Sequence, residues 1–171
     1  IQTGLIGAYN VDNALAAITI GLKLGVTEDK ASAAVAAYQP QNNRSQLTDT
    51  GRNRLVVDAY NANPTSMAAA IENFSMIEAP QKMLILGDMR ELGEVSLSEH
   101  RQIVQLLNAK GFTRVWLVGS EFAEAAKGTD FRLFADVDAV NKELEIEPLS
   151  GFTILIKGSN SIGLTKTITN L

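Results

Sequence analysis

The chain has 171 residues, 46% of them hydrophobic, which is enough for one domain with a buried core or for one domain plus part of another. Its net charge of −4 and its scattered basic residues argue against a nucleic-acid or anionic-membrane surface. The absence of cysteine excludes a disulfide framework and a thiolate nucleophile, and it fits a cytoplasmic protein. No apolar stretch reaches membrane-spanning length and no signal-peptide pattern is visible. Because the chain begins without Met, we interpret it as a fragment of a longer protein.

The first 39 residues are predicted to be helical. Residues 11–24 follow an amphipathic, alanine-rich pattern that Gly25 terminates, and Thr27 can cap a second helix from about Glu28. The side chains expected to face inward are Ala14, Leu15, Ala17, Ile18 and Leu22 in the first helix and Ala31, Ala34, Val35 and Tyr38 in the second. The polar, proline-containing stretch 39–43 then predicts a boundary, after which a separate domain begins at about residue 40.

After residue 46, short apolar runs alternate with helical patterns. Residues 46–48 and 54–57 predict a β-hairpin with Gly51 in its turn. Later apolar runs predict strands at residues 83–86, 115–118, 131–134 and 152–156, the third of them at an edge. Continuous apolar strands separated by helices are typical of an α/β fold. We therefore expect a mainly parallel sheet, covered on both faces and joined by right-handed crossovers.

The predicted helices of this region carry start signals. Asn63 suits an N-cap because its side-chain oxygen can accept a free N–H of the first turn, and Pro64 suits the first helical position. Ser96 and Glu99 have the spacing of a capping box. The remaining helices are predicted to begin near Glu121, after the cap Asp136, and after Asn160. The buried face of the helix that Pro64 opens is predicted to consist of Met67, Ala70, Ile71 and Phe74.

A polar loop follows the strand predicted at residues 54–57. Ligands of open α/β sheets bind at the C-terminal ends of strands, where loops from several strands converge. The polar side chains at this position are Asp58, Tyr60, Asn61 and Asn63. They are candidates for binding a ligand, with one alternative: Asp and Asn are also ordinary loop formers, because their side chains bond nearby backbone.

Two further stretches carry charge near predicted strand ends. Lys157, followed by Gly158 and Ser159 before a helix, could receive a phosphate or carboxylate, and the alternative is a solvated lysine at the rim. Residues 88–94 are rich in charge and precede His100, which is the single histidine. One histidine with loosely spaced acids rarely builds a metal site. For His100 we favour a hydrogen-bonded helix residue facing the loop over a general base.

Several catalytic and nucleotide motifs are missing from the sequence. There is no G-x-x-x-x-G-K-[ST] phosphate loop, no G-x-G-x-x-G dinucleotide fingerprint and no G-x-S-x-G nucleophile elbow. On its residues alone, the chain is therefore a ligand-binding α/β domain without a complete catalytic apparatus. A stand-alone binding or interaction module is one interpretation of such a domain.

Four segments, in order, resemble motifs of the Mur ligase family. They are residues 7–17 (GAYNVDNALAA), 58–66 (DAYNANPTS), 87–93 (GDMRELG, followed by His100) and 157–159 (KGS). The resemblance extends over essentially the whole chain. It implies that residues 1–39 are the helical tail of a central ATP-binding domain. Residues 40–171 are then a Rossmann-like, three-layer C-terminal domain whose mainly parallel sheet includes an N-terminal hairpin strand.

The third motif resembles the branch of the family that adds D-alanyl-D-alanine to UDP-N-acetylmuramoyl-tripeptide in peptidoglycan synthesis. The resemblance implies that ATP phosphorylates the substrate carboxylate and that the dipeptide amine attacks the resulting acyl phosphate. ATP and Mg²⁺ are the implied cofactors, bound mostly by the central domain. The implied enzyme is a cytoplasmic monomer without nucleic-acid or membrane partners. A sister ligase of the folylpolyglutamate-synthetase type is the alternative within the family's chemistry.

The resemblance also implies the residues that bind ATP. Asn13 matches an asparagine that reads adenine, which suits a carboxamide because it donates and accepts at once. Arg44 matches an arginine near the nucleotide, and Asp58 matches the aspartate that bonds the ribose hydroxyls. Tyr60 matches the loop that lines the nucleotide side of the cleft.

Substrate-binding residues are implied in the same way. Asn61 and Asn63 match the loop that lines the dipeptide cleft, and Lys157 and Ser159 match the last motif. Asn160 stands where the family commonly has Arg, and an asparagine cannot grip a carboxylate as a bidentate cation. No catalytic residue and no metal ligand is assigned within this chain. Without a phosphate loop, the fragment alone is expected to be inactive.

Overall fold

The computed structural model describes residues 1, 3, 5, 9–38 and 46–171, and its elements alternate as an α/β fold requires. In the described residues, no helix is long and apolar enough to cross a membrane. The α-helices are α1 (Tyr9–Lys23), α2 (Glu28–Ala37), α3 (Pro64–Met76), α4 (Ser96–Ala109), α5 (Ser120–Ala125) and α6 (Val137–Ile146). The strands are β1 (Gln46–Asp49), β2 (Arg54–Asp58), β3 (Lys82–Gly87), β4 (Val115–Val118), β5 (Arg132–Phe134) and β6 (Thr153–Lys157).

The six strands form one sheet in the order β1-β2-β6-β3-β4-β5. β1 is antiparallel to β2 and forms the predicted hairpin, whereas all other neighbours are parallel. The prediction of a mainly parallel sheet is confirmed, as is the position of β5 at an edge. β6 is the last strand in the chain and pairs on both sides, with β2 and with β3.

Two apolar cores cover the two faces of the sheet. Because side chains alternate along a strand, Leu84 and Leu86 face one core, while Met83 and Ile85 face the other. The first core is closed by α3, α4 and α5, and the second by α6 and the C-terminal segment. The buried face of α3 consists of Met67, Ala70, Ile71 and Phe74, as predicted. The domain therefore has three layers, helix–sheet–helix.

Two of the predicted caps are present in the structure. The Asn63 side chain accepts a hydrogen bond from the Ser66 N–H at 2.8 Å, and Pro64 occupies the first turn of α3. At α6, the Asp136 carboxylate accepts from the Ala139 N–H at 2.9 Å. Each cap satisfies a donor that the first helical turn would otherwise leave unpaired.

One helix-end prediction was wrong, and two others were correct only in part. The capping box at Ser96 and Glu99 does not form, since a 3₁₀ turn (Gly93–Val95) leads directly into α4. The Ser96 hydroxyl donates instead to the Glu121 carboxylate at 2.8 Å. Thr27 is the N-cap residue of α2, which begins at Glu28 as predicted, but its side chain makes no capping hydrogen bond. The final helix predicted after β6 forms as two 3₁₀ segments, Asn160–Ile162 and Leu164–Asn170.

α1 and α2 form a helical pair at the start of the chain, as predicted, but most of their apolar side chains are not buried. Ala31 is buried, whereas Leu15 is 56% exposed and Tyr38 is 52% exposed. Ala34 and Leu22 are exposed as well, so the predicted inward faces are only partly correct. Two helices share a single contact face, and they cannot bury a wide apolar stripe by themselves. The predicted boundary at residues 39–43 lies outside the described residues.

Candidate functional site

A polar cleft of about 580 Å³ lies at the C-terminal ends of β2 and β6. The first turns of α1 and α3 form its other sides. Its lining residues are Asn10, Asn13, Asp58, Tyr60, Asn61, Asn63, Thr65, Ser66, Ala69 and Lys157. The structure thus brings six of the predicted site residues together, from three segments that are far apart in sequence.

Asp58 and Lys157 meet because β2 and β6 are parallel and in register. They are partner residues at the ends of the two strands. The Lys157 ammonium donates to Asp58 Oδ2 at 2.7 Å and to the carbonyl oxygen of Asn61 at 3.2 Å. The Lys157 side chain is 1% exposed and the Asp58 side chain 16% exposed. Burying an ammonium costs several kcal/mol unless it is paired, and this carboxylate supplies the pairing charge.

The first turn of α1 contributes two carboxamides. Asn13 Nδ2 donates to Asn10 Oδ1 at 3.1 Å, and both side chains line the cleft. Asn10 was not among the predicted site residues. The signal that could have identified it is the N-x-x-N spacing, because residues three apart lie on the same face of a helix.

The loop between β2 and α3 forms the rim of the cleft. Tyr60 is half-exposed there. The Asn61 side chain accepts from the N–H of Ala62 at 2.8 Å, while its carbonyl accepts from Lys157. Asn63 caps α3 and still lines the cleft. The loop is therefore held by its own side chains at one end and by Lys157 at the other.

Ser159 lies apart from the residues that line the cleft. It is buried, and its hydroxyl accepts a hydrogen bond from the N–H of Arg90 at 2.9 Å. Its own N–H donates to the carbonyl of Asp88 at 3.1 Å. Both groups tie the end of β6 to the loop after β3, and the role of Ser159 as a substrate ligand stays a prediction. Arg44 lies outside the described residues.

The charged stretch after β3 is organised around the buried Asp88. Its two carboxylate oxygens accept from the N–H groups of Glu121 and Phe122, at 3.1 and 2.9 Å, at the start of α5. Gly119 makes this possible, because it has φ of 116° and a Cβ there would overlap the Asp88 carboxylate. The stretch therefore anchors the end of β3 to the first turn of α5.

His100 holds the same stretch from α4. Its Nε2 accepts from the N–H of Met89 at 3.0 Å, and its Nδ1 lies 2.8 Å from the carbonyl oxygen of Ser96. A neutral ring with the proton on Nδ1 satisfies both contacts. His100 is fully buried and packs edge-on against Phe122. It is a hydrogen-bonded helix residue facing the loop, as the sequence favoured. Nowhere in the described chain do three or more His, Cys, Asp or Glu side chains group as metal ligands would.

The fold and the cleft together define a doubly wound α/β domain that offers a polar binding site at its strand ends. Residues 43–160 match the family described as Mur ligase, glutamate ligase domain, and the chain belongs to this family.

Curated relatives named UDP-N-acetylmuramoyl-tripeptide–D-alanyl-D-alanine ligase match nearly the whole chain. The Treponema pallidum protein is 31% identical over 97% of the chain and 38% of its own length. The Escherichia coli protein is 35% identical over 95% of the chain and 36% of its own length. The chain therefore spans well under half the length of these relatives.

Solved structures agree with this family. The Acinetobacter baumannii UDP-N-acetylmuramoylalanyl-D-glutamyl-2,6-diaminopimelate–D-alanyl-D-alanyl ligase superposes with a TM-score of 0.83 at 27% identity, covering 96% of this chain and 36% of that one. The Thermotoga maritima MurF ligase in complex with ADP superposes with a TM-score of 0.80 at 24% identity, covering 98% and 38%. At 24% identity, the likeness to the Thermotoga maritima structure concerns the fold alone.

Proposed function

We propose that this chain is the C-terminal part of an ATP-dependent ligase that joins D-alanyl-D-alanine to UDP-N-acetylmuramoyl-tripeptide through an acyl phosphate. The observation that carries the proposal is the polar cleft, which gathers Asn13, Asp58 and Tyr60 at the ends of parallel strands. The names of the relatives that match nearly the whole chain support the substrate assignment. ATP and a nucleotide-linked substrate make the cytoplasm the expected location, and we expect a monomer.

Within the cleft, the nucleotide is bound by the side nearest α1 and β2. The Asn13 carboxamide reads adenine, and the Asp58 carboxylate accepts hydrogen bonds from the ribose hydroxyls. Tyr60 lines the rim next to them. For Arg44, a role in nucleotide binding is proposed from the sequence resemblance alone. Asn61 and Asn63 face the dipeptide. Each proposed role uses a hydrogen-bond donor or acceptor that the side chain carries.

Phosphate chemistry is assigned to the rest of the ligase. The sequence has no phosphate loop, so the chain alone should not hydrolyse ATP. Asp58 is the one carboxylate that lines the cleft among the described residues, and Lys157 already pairs with it. This donor set does not fit a protein-held Mg²⁺. We therefore place Mg²⁺ with the nucleotide phosphates, outside this part of the cleft.

The test is steady-state ligation by the full-length protein that contains this chain, with Asp58→Asn compared against the exposed control Asp138→Asn. The asparagine keeps an oxygen for Lys157 and removes the charge. A hydrogen bond to a charged group contributes about 1.5–3 kcal/mol, so the KM for ATP should rise roughly tenfold to a hundredfold. The control should match the unmutated enzyme. A lowered melting temperature with an unchanged KM for ATP would mean that Asp58 is only structural.

The same assay tests which substrates the ligase requires. Phosphate release should require both UDP-N-acetylmuramoyl-tripeptide and D-alanyl-D-alanine. Release that instead depends on a folate and glutamate would assign the chain to the folylpolyglutamate-synthetase type. If the isolated 171-residue chain released phosphate in a dipeptide-dependent way, the proposal that the rest of the ligase supplies the phosphate chemistry would be contradicted.

A further inference from the structure

Among the residues that the structure describes, Lys157 is the one cation in the lining of the cleft, and its ammonium already donates to two acceptors. It contacts Asp58 Oδ2 at 2.7 Å and the carbonyl of Asn61 at 3.2 Å, and the side chain is 1% exposed. A cation that receives a substrate phosphate or carboxylate must present its N–H groups to the ligand. This ammonium instead directs two of its three N–H groups to the last residue of β2 and to the loop that follows it.

The two acceptors lie at either end of a short segment, residues 58–61. By binding both, Lys157 fixes the orientation of the Asp58 carboxylate and the path of the loop that carries Tyr60. Ordering a side chain and a loop at the moment of binding costs conformational entropy. A site that is already ordered avoids that cost and binds more tightly.

We propose that Lys157 is a positioning residue for nucleotide binding, which acts through Asp58 and does not itself contact substrate. The proposal rests on the proposed function, because it requires Asp58 to bind the ribose. Its distinctive consequence is that most of the effect of Lys157 on nucleotide recognition requires the Asp58 carboxylate, while the contact with the Asn61 carbonyl leaves a smaller effect through the loop. If Lys157 instead bound a phosphate or a substrate carboxylate directly, Lys157→Met would raise the KM equally in the unmutated protein and in Asp58→Asn.

The experiment is a double-mutant cycle in the full-length protein, with Lys157→Met, Asp58→Asn and the double variant. The exposed Lys166→Met is the matched control. KM and kcat are measured with ATP and with 2′-deoxy-ATP, which lacks one of the two hydroxyls. Lys157→Met should raise the KM for ATP about tenfold, leave kcat nearly unchanged and reduce the preference for ATP over 2′-deoxy-ATP. The KM for ATP of the double variant should be close to that of Asp58→Asn alone and far below the value that additive effects would give.

Three outcomes would overturn the proposal. Additive effects in the double variant would show that Lys157 contacts ligand independently of Asp58. A raised KM for the dipeptide or the tripeptide with a normal KM for ATP would make it a substrate ligand. A lowered melting temperature with normal nucleotide preference would make it structural.

Failure of the proposed function is distinguishable, because Asp58→Asn itself would then leave the KM for ATP unchanged. If Lys157→Met does not fold, Lys157→Gln replaces it, since its amide can still donate to Asp58. That variant should keep part of the ATP preference, and full additivity with Asp58→Asn would overturn the proposal equally.

Discussion

Replacing Asp88 with alanine should destabilise the domain strongly without any role for Asp88 in chemistry. The carboxylate is fully buried and accepts hydrogen bonds from two N–H groups, those of Glu121 and Phe122. Its removal leaves both donors without a protein partner. A buried donor left unsatisfied costs about 1–3 kcal/mol, so the two together should cost about 2–6 kcal/mol. Total stabilities are typically about 5–15 kcal/mol, so this is a large share.

Urea unfolding followed by tryptophan fluorescence measures this loss directly. Trp116 is the single tryptophan and is buried on β4, two residues before the strand ends near Asp88. For a chain of this size, each kcal/mol lowers the melting temperature by about 2–4 °C. Glu145→Ala removes an exposed carboxylate from α6 and serves as the control, with little effect expected. A loss below about 1 kcal/mol for Asp88→Ala would refute the reasoning.

Two further substitutions test the packing around the sheet. Gly119→Ala should lower the free energy of unfolding by about 1–3 kcal/mol or more, because a Cβ at φ of 116° overlaps the Asp88 carboxylate. A normal melting temperature would contradict this. Met67→Ala, at a fully buried position of α3, should cost about 2–5 kcal/mol. Met76→Ala, in the same helix but 69% exposed, should change the free energy of unfolding by less than about 0.5 kcal/mol in the same urea titration. Equal losses for the two methionines would argue against the assigned core face.

Local sequence signals predicted much of this fold. The cap at Asn63 and the buried face of α3 depend on residues within a few positions of one another, and both are confirmed. Ser96 shows where such signals fail. Its spacing to Glu99 is that of a capping box, but its hydroxyl donates a hydrogen bond to Glu121, which belongs to a different element. A tertiary partner therefore replaced a local one, which no short window of sequence reveals.

The same distinction applies to the candidate site. The sequence placed Asp58 and Lys157 at strand ends on one rim, and the structure brings them to the same cleft. That they bind each other depends on β6 lying beside β2, a pairing across 99 residues. Ser159 is the opposite case. It lies two residues beyond the end of β6, where it is buried and its hydroxyl accepts from the N–H of Arg90, apart from the residues that line the cleft.

The central position of β6 has a consequence for the order in which the protein forms during synthesis. Strands β2 to β5 and their helices leave the ribosome first, while the strand that joins β2 to β3 comes last. Until then, the backbone N–H and C=O groups along one edge of β2 and one edge of β3 are unpaired, and such edges on apolar strands promote association between incomplete chains. Lys157 is the last residue of β6. The nascent chain can therefore acquire its charged pair, and with it an ordered binding cleft, only in the step that also closes the sheet.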